Sequence, residues 1–256
     1  PYLRGRSRSR SMESVHAEAL ACGAREIVLT GIDITSYRDG EKDLGDLLLS
    51  LKDVPARIRL GSLEEGIVSR EFLEKMKKAG NVCEHFHLSL QSGSDNVLRA
   101  MNRRYTREQY LQACALIGEF FPDPAVTTDI IVGFPTETEE DFMQSLRIVG
   151  EAGLARVHAF PYSPRPGTNA ARRPPLPDSV KQERMACMLA RAKEAEEAYL
   201  SRFASRTLTA LFESDGGYTA NYIRVYAENA KEGGMYEVTL LERYRDGWHV
   251  RIEKEI

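Results

Sequence analysis

Five short apolar segments of this sequence each end in small or polar residues that could hold a ligand. Carboxylate, amide and hydroxyl groups hydrogen-bond the polar parts of a ligand, and glycine allows close approach of the backbone. Any one of these endings could simply form a turn, but five of them at one edge of a sheet predict a binding site for a polar ligand. Phe134 and Tyr162 would form its aromatic wall. The endings are Gly31-Ile32-Asp33, Ser62-Leu63-Glu64, Gln91-Ser92-Gly93, Gly133-Phe134-Pro135 and Pro161-Tyr162-Ser163.

The segment before Gln91 shows most clearly how such an ending is positioned. Phe86, Leu88 and Leu90 alternate with other residues, which is typical of a buried strand. Ser94 is expected to cap a helix over residues 95–101, whose free amide groups would then lie beside a bound ligand. In α/β folds, ligands sit at this carboxyl end of the strands.

The first part of the chain alternates strand-like and helical segments. Recurrence at intervals of roughly 30 residues predicts βαβ units, hence an α/β fold with a parallel sheet. The repetition favours a partial (β/α) barrel over a doubly wound sheet, and no GxGxxG fingerprint follows the first strand. Thr106 with Gln109 predicts a capping box. The predicted strands are 27–30, 57–60, 85–90, 126–132 and 156–160, and the other predicted helices are 11–21, 43–51, 69–78 and 138–151.

The pattern changes after a connector with six prolines between Pro161 and Pro177. Asp178 is expected to cap a long helix that runs to about Phe203. Strands are predicted over 207–212, 218–226, 235–244 and 248–252, separated by glycine turns, which suggests a small OB-like antiparallel barrel. The predicted division is therefore 1–177 for the partial barrel, 178–204 for a connecting helix and 205–256 for an all-β domain.

Composition limits the classes of partner. The net charge of −3 carries no global nucleic-acid signal, so any basic surface must be local. No apolar run is long enough to span a bilayer. The four cysteines, Cys22, Cys83, Cys114 and Cys187, lie far apart, which excludes a sequence-local zinc or iron–sulfur motif. They are expected to be reduced and mostly buried, as in a cytoplasmic protein, and we expect a monomer.

Two other groups of residues have structural interpretations. His85 and His87 share one face of a strand, but no third ligand is evident, so packing or hydrogen bonding is favoured over a metal site. The strand histidine His158 is interpreted in the same way. Acidic residues between Glu137 and Asp141 lie at a helix start, where they stabilise the helix dipole. We assign no catalytic residue and no metal ligand.

Arginines near the amino end and before Tyr105 are candidates for phosphate contact. Arginine interspersed with small residues suits phosphate, and Arg103-Arg104-Tyr105 joins cation and aromatic in a way that suits nucleic acid. The tyrosines and Arg224 of the last domain could be core, rim or RNA-stacking residues. The residues expected to face RNA or substrate are Arg4, Arg6, Arg8, Arg103 and Arg104.

Taken together, the motifs resemble the methylthiotransferases of the radical S-adenosylmethionine superfamily. The resemblance runs nearly end to end, and GYTANYIRVY in the last domain looks like the RNA-binding TRAM module of these enzymes. LTGID followed by Ser36-Tyr37 looks closest to the branch acting on threonylcarbamoyladenosine at tRNA position 37, although Asp33 departs from that branch. The matching stretches are PYLRGRSRSR, EIVLTGID, RIRLGSLE, HFHLSLQSGSDNVLRAMNRRYT, TTDIIVGFPTETEEDF and HAFPYSPRPGT.

The resemblance implies radical chemistry on tRNA. A [4Fe–4S] cluster would cleave S-adenosylmethionine to a radical that activates the adenine C2–H, and a methylthio group built on a second cluster would be inserted there. Asp33, Ser62, Glu64, Gln91 and Ser92 would orient the amino-acid and ribose parts of the cofactor. The cofactor adenine would lie along Ile131, Val132, Gly133 and Phe134, and Tyr162 would close the wall.

One departure from the family pattern changes what is expected of this chain. The family's CxxxCxxC loop precedes the stretch that matches Pro1 to Arg6, and neither that loop nor the cysteines of the second cluster are present. The chain is therefore expected to be an excised fragment that binds no cluster and is inactive, with an unpaired strand edge near residues 27–30. The alternatives are isopentenyladenosine tRNA or a ribosomal protein as substrate, an RNA-binding protein with the barrel as scaffold, and a barrel enzyme acting on a phosphorylated metabolite.

Overall fold

The computed structural model describes residues 7–256 and alternates helices with strands over its first part. The helices are α1 (Met12–Ala21), α2 (Leu44–Ser50), α3 (Arg70–Ala79), α4 (Asp95–Ala100), α5 (Arg107–Phe120), α6 (Glu139–Glu151) and α7 (Asp178–Ser201). The strands are β1 (Glu26–Leu29), β2 (Arg57–Leu60), β3 (His85–His87), β4 (Ala125–Val132), β5 (Arg156–Pro161), β6 (Thr207–Glu213), β7 (Gly216–Thr219), β8 (Arg224–Tyr226), β9 (Met235–Tyr244) and β10 (Gly247–Glu255).

Strands β1 to β5 lie side by side in chain order and all run parallel. β1 pairs with β2, and β3 pairs with β4, which pairs with β5. Single bridges join the two groups, from Ile58 to Val82 and from Leu63 to Leu88. Because the order never reverses, the sheet curves as part of a barrel, which confirms the predicted partial (β/α) barrel.

The helix starts follow local capping chemistry. Thr106 and Gln109 form the predicted capping box, and similar boxes begin α2 at Asp43 and α6 at Thr138. The prediction that Asp178 caps α7 is wrong. Pro177 holds the cap position, and Asp178 is the first helical residue, paired with Lys181 at 2.7 Å.

The convex side of the parallel sheet carries the main core. Ile58, Phe86, Leu88 and Ile130 are fully buried there beneath helices. Residues on the other, concave face of β4 and β5 are more polar and less buried. The apolar helices therefore stabilise one side of the sheet and leave the concave side for other groups.

Strands β6 to β10 form a closed barrel in the order β10-β8-β7-β6-β9. Its own core includes Phe212, Val238 and Trp248, in agreement with the predicted OB-like domain. The prediction of one strand over 218–226 is wrong, because the chain turns between β7 and β8. Tyr222 lies in that turn with a φ of +61°, and its N–H donates to the carbonyl of Thr219 at 3.1 Å.

This barrel is attached to the amino ends of β1 and β2 by a buried charge cluster. Glu26 accepts from Arg57 Nε at 2.5 Å and from Arg59 Nη2 at 2.9 Å. Arg57 also donates to the Tyr218 carbonyl at 2.8 Å, and Arg59 donates to the carbonyl of Thr219 at 3.0 Å. Burial alone would raise the pKa of Glu26, but the hydrogen bonds and charges of the two arginines outweigh it and lower the pKa.

An aromatic stack completes this junction. The rings of Tyr222 and His85 are parallel, with centroids 3.9 Å apart, and Arg59 and Arg156 both lie over the Tyr222 ring. Tyr199 of α7 donates to the Asn221 carbonyl at 2.8 Å. The turn between β7 and β8 thus closes the amino-terminal end of the parallel sheet.

The cysteines only partly match their prediction. Cys83 and Cys114 are buried, but Cys22 and Cys187 are exposed, so the expectation of mostly buried thiols is wrong for half of them. Burial raises the pKa of the Cys83 thiol to about 11. Across residues 7–256, no helix is long and apolar enough to cross a membrane.

The predicted open strand edge lies at β1. Within residues 7–256, β2 is the sole strand paired with β1, and Val28 is 53% exposed. A cleft of about 1050 Å³ runs along this edge between α1, β1 and α2. Arg8 lies at its rim.

Candidate cofactor-binding site at the strand ends

The carboxyl ends of the five parallel strands are tied to one another by backbone hydrogen bonds. Gly61 donates to the Leu29 carbonyl, Leu63 to that of His87, and Gln91 to that of Asp129, each at 2.8 Å. Tyr162 likewise donates to the Val132 carbonyl at 2.8 Å. The five endings singled out in the sequence therefore lie along one edge. Those with accessible side chains, Asp33, Ser62, Glu64, Gln91 and Tyr162, are called the strand-end row below.

Gln91 has the most unusual backbone of this row. Its φ is +67°, a left-handed conformation that residues other than glycine seldom adopt. Its N–H and carbonyl are both bonded to β4, at Asp129 and Ile131, so the strand pairing holds it there. This strain makes Gln91 a candidate functional residue, and its half-buried amide side chain is available to a ligand.

The acidic and hydroxyl groups at the first two strand ends are exposed. Asp33, Ser62 and Glu64 all lie open to solvent. Asp33 accepts from the Ser36 N–H at 3.2 Å, which holds its loop, and the Glu64 N–H donates to Thr35 Oγ1 at 3.0 Å. The Glu64 carboxylate has no protein partner within residues 7–256 and can accept from a ligand.

Ser92 occupies a different environment from the one predicted. Its side chain is fully buried, and its hydroxyl lies 3.3 Å from Ser145 Oγ of α6 and accepts from the Ser94 N–H at 3.2 Å. Ser94 does cap α4, accepting from the Asn96 N–H at 3.2 Å. The Ser92 hydroxyl thus joins strand end to helix and has no open face toward a ligand.

The glycines of these endings serve packing within the chain. A Cβ on Gly93 would lie 2.7 Å from the Gln144 carbonyl oxygen and 2.7 Å from Ser145 Cα, both on α6. A Cβ on Gly133, whose φ is +77°, would meet the Lys181 side chain at 2.5 Å. Glycine is favoured at Gly93 because α6 approaches it, and at Gly133 because of its positive φ and the nearby Lys181, so contacts within the protein already account for both glycines.

A buried ion pair holds the loop after β4. Glu137 accepts from the Gly133 N–H at 3.0 Å and from Arg184 Nη1 of α7 at 2.7 Å. Burial raises the pKa of Glu137, against the opposing effect of Arg184. Asp141 is the capping-box partner of Thr138, which confirms the structural interpretation of the acidic residues here. The loop is therefore fixed to α7.

The predicted aromatic wall is present. Phe134 and Tyr162 meet edge to face with centroids 5.2 Å apart. Ile131 is half-buried on the concave face, while Val132 and Phe134 are buried. Within residues 7–256 the Tyr162 hydroxyl is buried without a hydrogen-bond partner. A buried unsatisfied hydroxyl is costly unless a ligand or water pairs with it.

Three concave-face side chains form a cluster below this wall. His87 Nδ1 lies 3.0 Å from Thr127 Oγ1, and His87 Nε2 lies 3.4 Å from Asp129 Oδ2. The His158 ring centroid lies 6.0 Å from that of His87. The sequence had indicated the histidines as structural residues and had not singled out Asp129. The strand alternation that places Asp129 two residues before Ile131 was the available signal.

The candidate RNA-facing arginines are not all described. Arg4 and Arg6 lie outside the described residues. Arg8 and Arg104 are exposed and Arg103 is half-buried. Tyr105 does not provide the aromatic partner that the Arg103-Arg104-Tyr105 sequence suggested, because it is buried and its hydroxyl lies 2.8 Å from the carbonyls of both Ser89 and Leu90.

The strand-end row suits S-adenosylmethionine better than it suits a metal cluster. An unpaired buried hydroxyl, a strained amide residue, the free carboxylate of Glu64 and the exposed carboxylate of Asp33 match a ligand with an adenine, ribose hydroxyls and an ammonium group. Residues 7–256 bring together no three histidine, cysteine or acidic side chains able to hold a metal. The side chains described thus fit the cofactor and supply no ligand set for an iron–sulfur cluster.

Comparison with known proteins gives consistent matches. Residues 1–149 match the Radical SAM superfamily. The chain is 33% identical over 280 residues to threonylcarbamoyladenosine tRNA methylthiotransferase of Bacillus subtilis, covering all of this chain and 62% of that protein. It is 37% identical over 230 residues to tRNA-2-methylthio-N(6)-dimethylallyladenosine synthase of Alkaliphilus oremlandii, covering 86% of this chain and 49% of that one.

Solved structures show the same fold. Coproporphyrinogen III oxidase of Escherichia coli matches with a TM-score of 0.51 and 19% identity, over 75% of this chain and 44% of that one. Methylornithine synthase matches with a TM-score of 0.51 and 15% identity, over 72% of this chain and 52% of that one. The chain spans about half to three fifths of the length of the curated relatives named above.

Proposed function

This chain belongs to the radical SAM superfamily, and on that premise we propose that it acts within a tRNA methylthiotransferase. The reaction would place a methylthio group at C2 of N6-threonylcarbamoyladenosine 37. The observation that carries the proposal is the strand-end row, which combines strained Gln91, the free carboxylate of Glu64 and the unpaired hydroxyl of Tyr162. The relatives reported above make tRNA methylthiolation the chemistry that this row would serve.

The predicted cofactor residues fall into those that would contact the cofactor and those that would support the site. Glu64 and Asp33 would accept from the ammonium group or ribose hydroxyls, and the Gln91 amide would hydrogen-bond the amino-acid part. When bound and reduced by one electron from a [4Fe–4S] cluster, S-adenosylmethionine would supply the radical that activates the adenine C2–H. Ser62 would add a hydroxyl, whereas Ser92, Val132 and Gly133 support the site from beneath. Ile131, Phe134 and Tyr162 would lie along the cofactor adenine and exclude water from it.

RNA binding is assigned to the terminal β-barrel and the exposed arginines. Arg245 lies over both Tyr226 and Tyr244, and Tyr244 is 44% exposed, so this surface offers cations beside aromatic rings. We propose the predicted division, with residues 1–177 holding the cofactor, 178–204 connecting and 205–256 acting as the TRAM-like module. Because its substrate would be tRNA, we propose that the protein is cytoplasmic, and we propose that it acts as a monomer.

The substrate is assigned to the threonylcarbamoyladenosine branch. The LTGID sequence with Ser36 and Tyr37 supports this branch, as does a relative that matches over the whole chain. A second candidate is dimethylallyladenosine tRNA, favoured by the 37% identity to the Alkaliphilus oremlandii synthase. The two substrates differ in the group on N6 and can be separated directly.

The test compares nucleosides from total tRNA of cells with and without the complete gene, by mass spectrometry. We expect loss of 2-methylthio-threonylcarbamoyladenosine on deletion, with its unmethylthiolated precursor accumulating. The complete gene should restore it, while genes carrying Gln91→Ala or Glu64→Ala should restore it poorly. Gln112→Ala, at an exposed position of α5, is the matched control and should restore it fully.

Two results would contradict this proposal. Loss of the methylthiolated dimethylallyladenosine instead would assign the second candidate. Unchanged tRNA nucleosides would remove tRNA as substrate, and methylthiolation of a ribosomal protein or plain RNA binding would then be the explanation to pursue.

A further inference from the structure

The concave face of the parallel sheet carries a layer of polar side chains that the proposed cofactor contacts do not use. We call His87, Asp129 and His158 the polar layer. Asp129 and His158 are register partners on β4 and β5, and His87 reaches Asp129 from β3 with 3.4 Å between Nε2 and Oδ2. Three neighbouring strands thus present these groups together.

The side chains of the polar layer are partly exposed, whereas the side chain beneath them is buried. The Asp129 side chain keeps 31% of its surface exposed and that of His87 keeps 15%. Two residues earlier on the same face of β3, His85 is buried against Tyr222, so the space on the concave side of the sheet ends at that level. Across residues 7–256, neither ring nitrogen of His158 has a hydrogen-bond partner, so its ring can donate to and accept from a ligand.

The polar layer lies at a useful depth below the strand-end row. Asp129 precedes Ile131 by two residues on the same face, a rise of about 7 Å. If the target adenine lies with C2 toward the cofactor held by the row, its N6 substituent projects away from C2, because C2 and C6 are the two neighbours of N1 and their outward bonds diverge. The substituent then points into the concave face toward these three side chains.

We propose that the polar layer recognises the polar N6 substituent of the target adenosine and rejects an apolar one. This rests on the proposed function and assigns its substrate selectivity to named residues. A threonylcarbamoyl group offers N–H donors, a hydroxyl, a carbonyl and a carboxylate. Asp129 would accept from an N–H or the hydroxyl, while His158 would donate to the carboxylate or carbonyl.

An apolar substituent would leave these groups unpaired. A dimethylallyl group has no donor or acceptor, so burying it here would desolvate a carboxylate and two imidazoles without replacement bonds. Sites built to hydrogen-bond a substrate discriminate strongly against analogues that cannot pair. Burial lowers the pKa of His158 more than Asp129 raises it, so the ring is neutral at pH 7 and carries one donor and one acceptor nitrogen.

The experiment measures RNA binding by the protein expressed from its complete reading frame. The probes are three anticodon stem–loops identical except at position 37, which is threonylcarbamoyladenosine, dimethylallyladenosine or adenosine. Dissociation constants are measured by fluorescence anisotropy with S-adenosylmethionine present and no reductant, so no turnover contributes. The variants are His158→Phe and Asp129→Leu, with His158→Gln to retain a donor and His16→Phe on α1 as a distant control.

We expect wild type to bind the threonylcarbamoyl RNA more tightly than the dimethylallyl RNA. His158→Phe and Asp129→Leu should each weaken binding of the threonylcarbamoyl RNA by about tenfold or more and leave the unmodified RNA unchanged. His158→Gln should keep most of the preference, and His16→Phe all of it. The glutamine and leucine variants decide the matter if the phenylalanine variant does not fold.

Three outcomes overturn the inference. If wild type prefers the threonylcarbamoyl RNA and both variants keep that preference, the polar layer is not the determinant while the proposed function stands. If the variants weaken all three RNAs equally, the layer only supports the fold. If wild type prefers the dimethylallyl RNA, the proposed substrate and this inference both fail.

Discussion

The two ends of the parallel sheet are built from similar residue types and are used differently. At the amino-terminal end, the largely buried Glu26, Arg57 and Arg59 pair with one another and with backbone carbonyls of the β-barrel. At the carboxyl-terminal end, Glu64 and Asp33 remain exposed. Charge thus stabilises the protein at one end and is left available for a ligand at the other, the division typical of β/α barrels.

The two ends of the sheet also differ in what their tyrosine hydroxyls and left-handed residues contact. The Tyr199 hydroxyl at the β-barrel junction is paired with the Asn221 carbonyl, whereas the Tyr162 hydroxyl has no partner within residues 7–256. Gln91 is held in a left-handed conformation by β4. The left-handed Tyr222 of the junction stacks on His85 of the protein itself, whereas the Tyr162 hydroxyl and the half-buried Gln91 side chain are left for a ligand.

The largest effect is expected at the amino-terminal end. Glu26→Gln removes the charge that neutralises Arg57 and Arg59, and breaking a buried pair from one side costs about 3 to 5 kcal/mol. The free energy of unfolding, from urea denaturation, should fall by this amount. Glu119→Gln is the matched control, because its pair with Arg70 is exposed and should contribute under about 1 kcal/mol.

The pairing of Glu26 with Arg57 and Arg59 also predicts that the protein loses stability in acid. Because the folded-state pKa of Glu26 lies below the ordinary 4.5, its contribution is complete above that value and is lost as pH falls through the lowered pKa. The stability of wild type should therefore fall more steeply on acidification than that of Glu26→Gln. Equal losses of stability in the Glu26→Gln and Glu119→Gln variants would show that the junction charges are not what holds the two parts together.

Much of the fold follows from local patterns. Residues 57–60 and the capping box at Thr106 agree closely with their predictions, because apolar alternation and capping depend on neighbours in sequence. Repeated βαβ units likewise place the strand ends along one edge of the sheet, in chain order. The strand-end row was therefore accessible from the sequence as a group.

Contacts between distant residues were not accessible in this way. Arg59 meets the Thr219 carbonyl across 160 residues, and the N–H of Gly93 donates to Ser145 Oγ across 52 residues, in the contact that also buries Ser92. The turn at Tyr222 interrupts a run that is mostly strand-like in composition, and the stacking of Tyr222 on His85 stabilises the turn. Tertiary packing decides such positions, and a single sequence carries no local signal for it.

A smaller effect is expected from the glycine that joins strand end to helix. Gly93→Ala places a Cβ 2.7 Å from α6 backbone atoms, so the strand end and helix must separate. The free energy of unfolding should fall by about 1 to 3 kcal/mol, the usual cost of overpacking. Gly118→Ala in α5 has open space and should raise it by about 0.5 to 1 kcal/mol. A Gly93→Ala protein of unchanged stability but weakened cofactor binding would mean that this glycine faces the ligand.

The smallest effect tests whether the strained backbone of Gln91 serves the ligand or the fold. Gln91→Gly removes the left-handed strain and should raise the free energy of unfolding by about 0.5 to 1 kcal/mol, since glycine adopts this conformation freely but loses more entropy. Gln91→Ala keeps the Cβ and the strain, so its stability should match wild type within about 0.5 kcal/mol. Both variants should bind S-adenosylmethionine more weakly by calorimetry, because both lose the amide. Stabilisation with loss of binding would show that this residue is kept for the ligand at the expense of the fold. A less stable glycine variant would instead make Gln91 a packing residue.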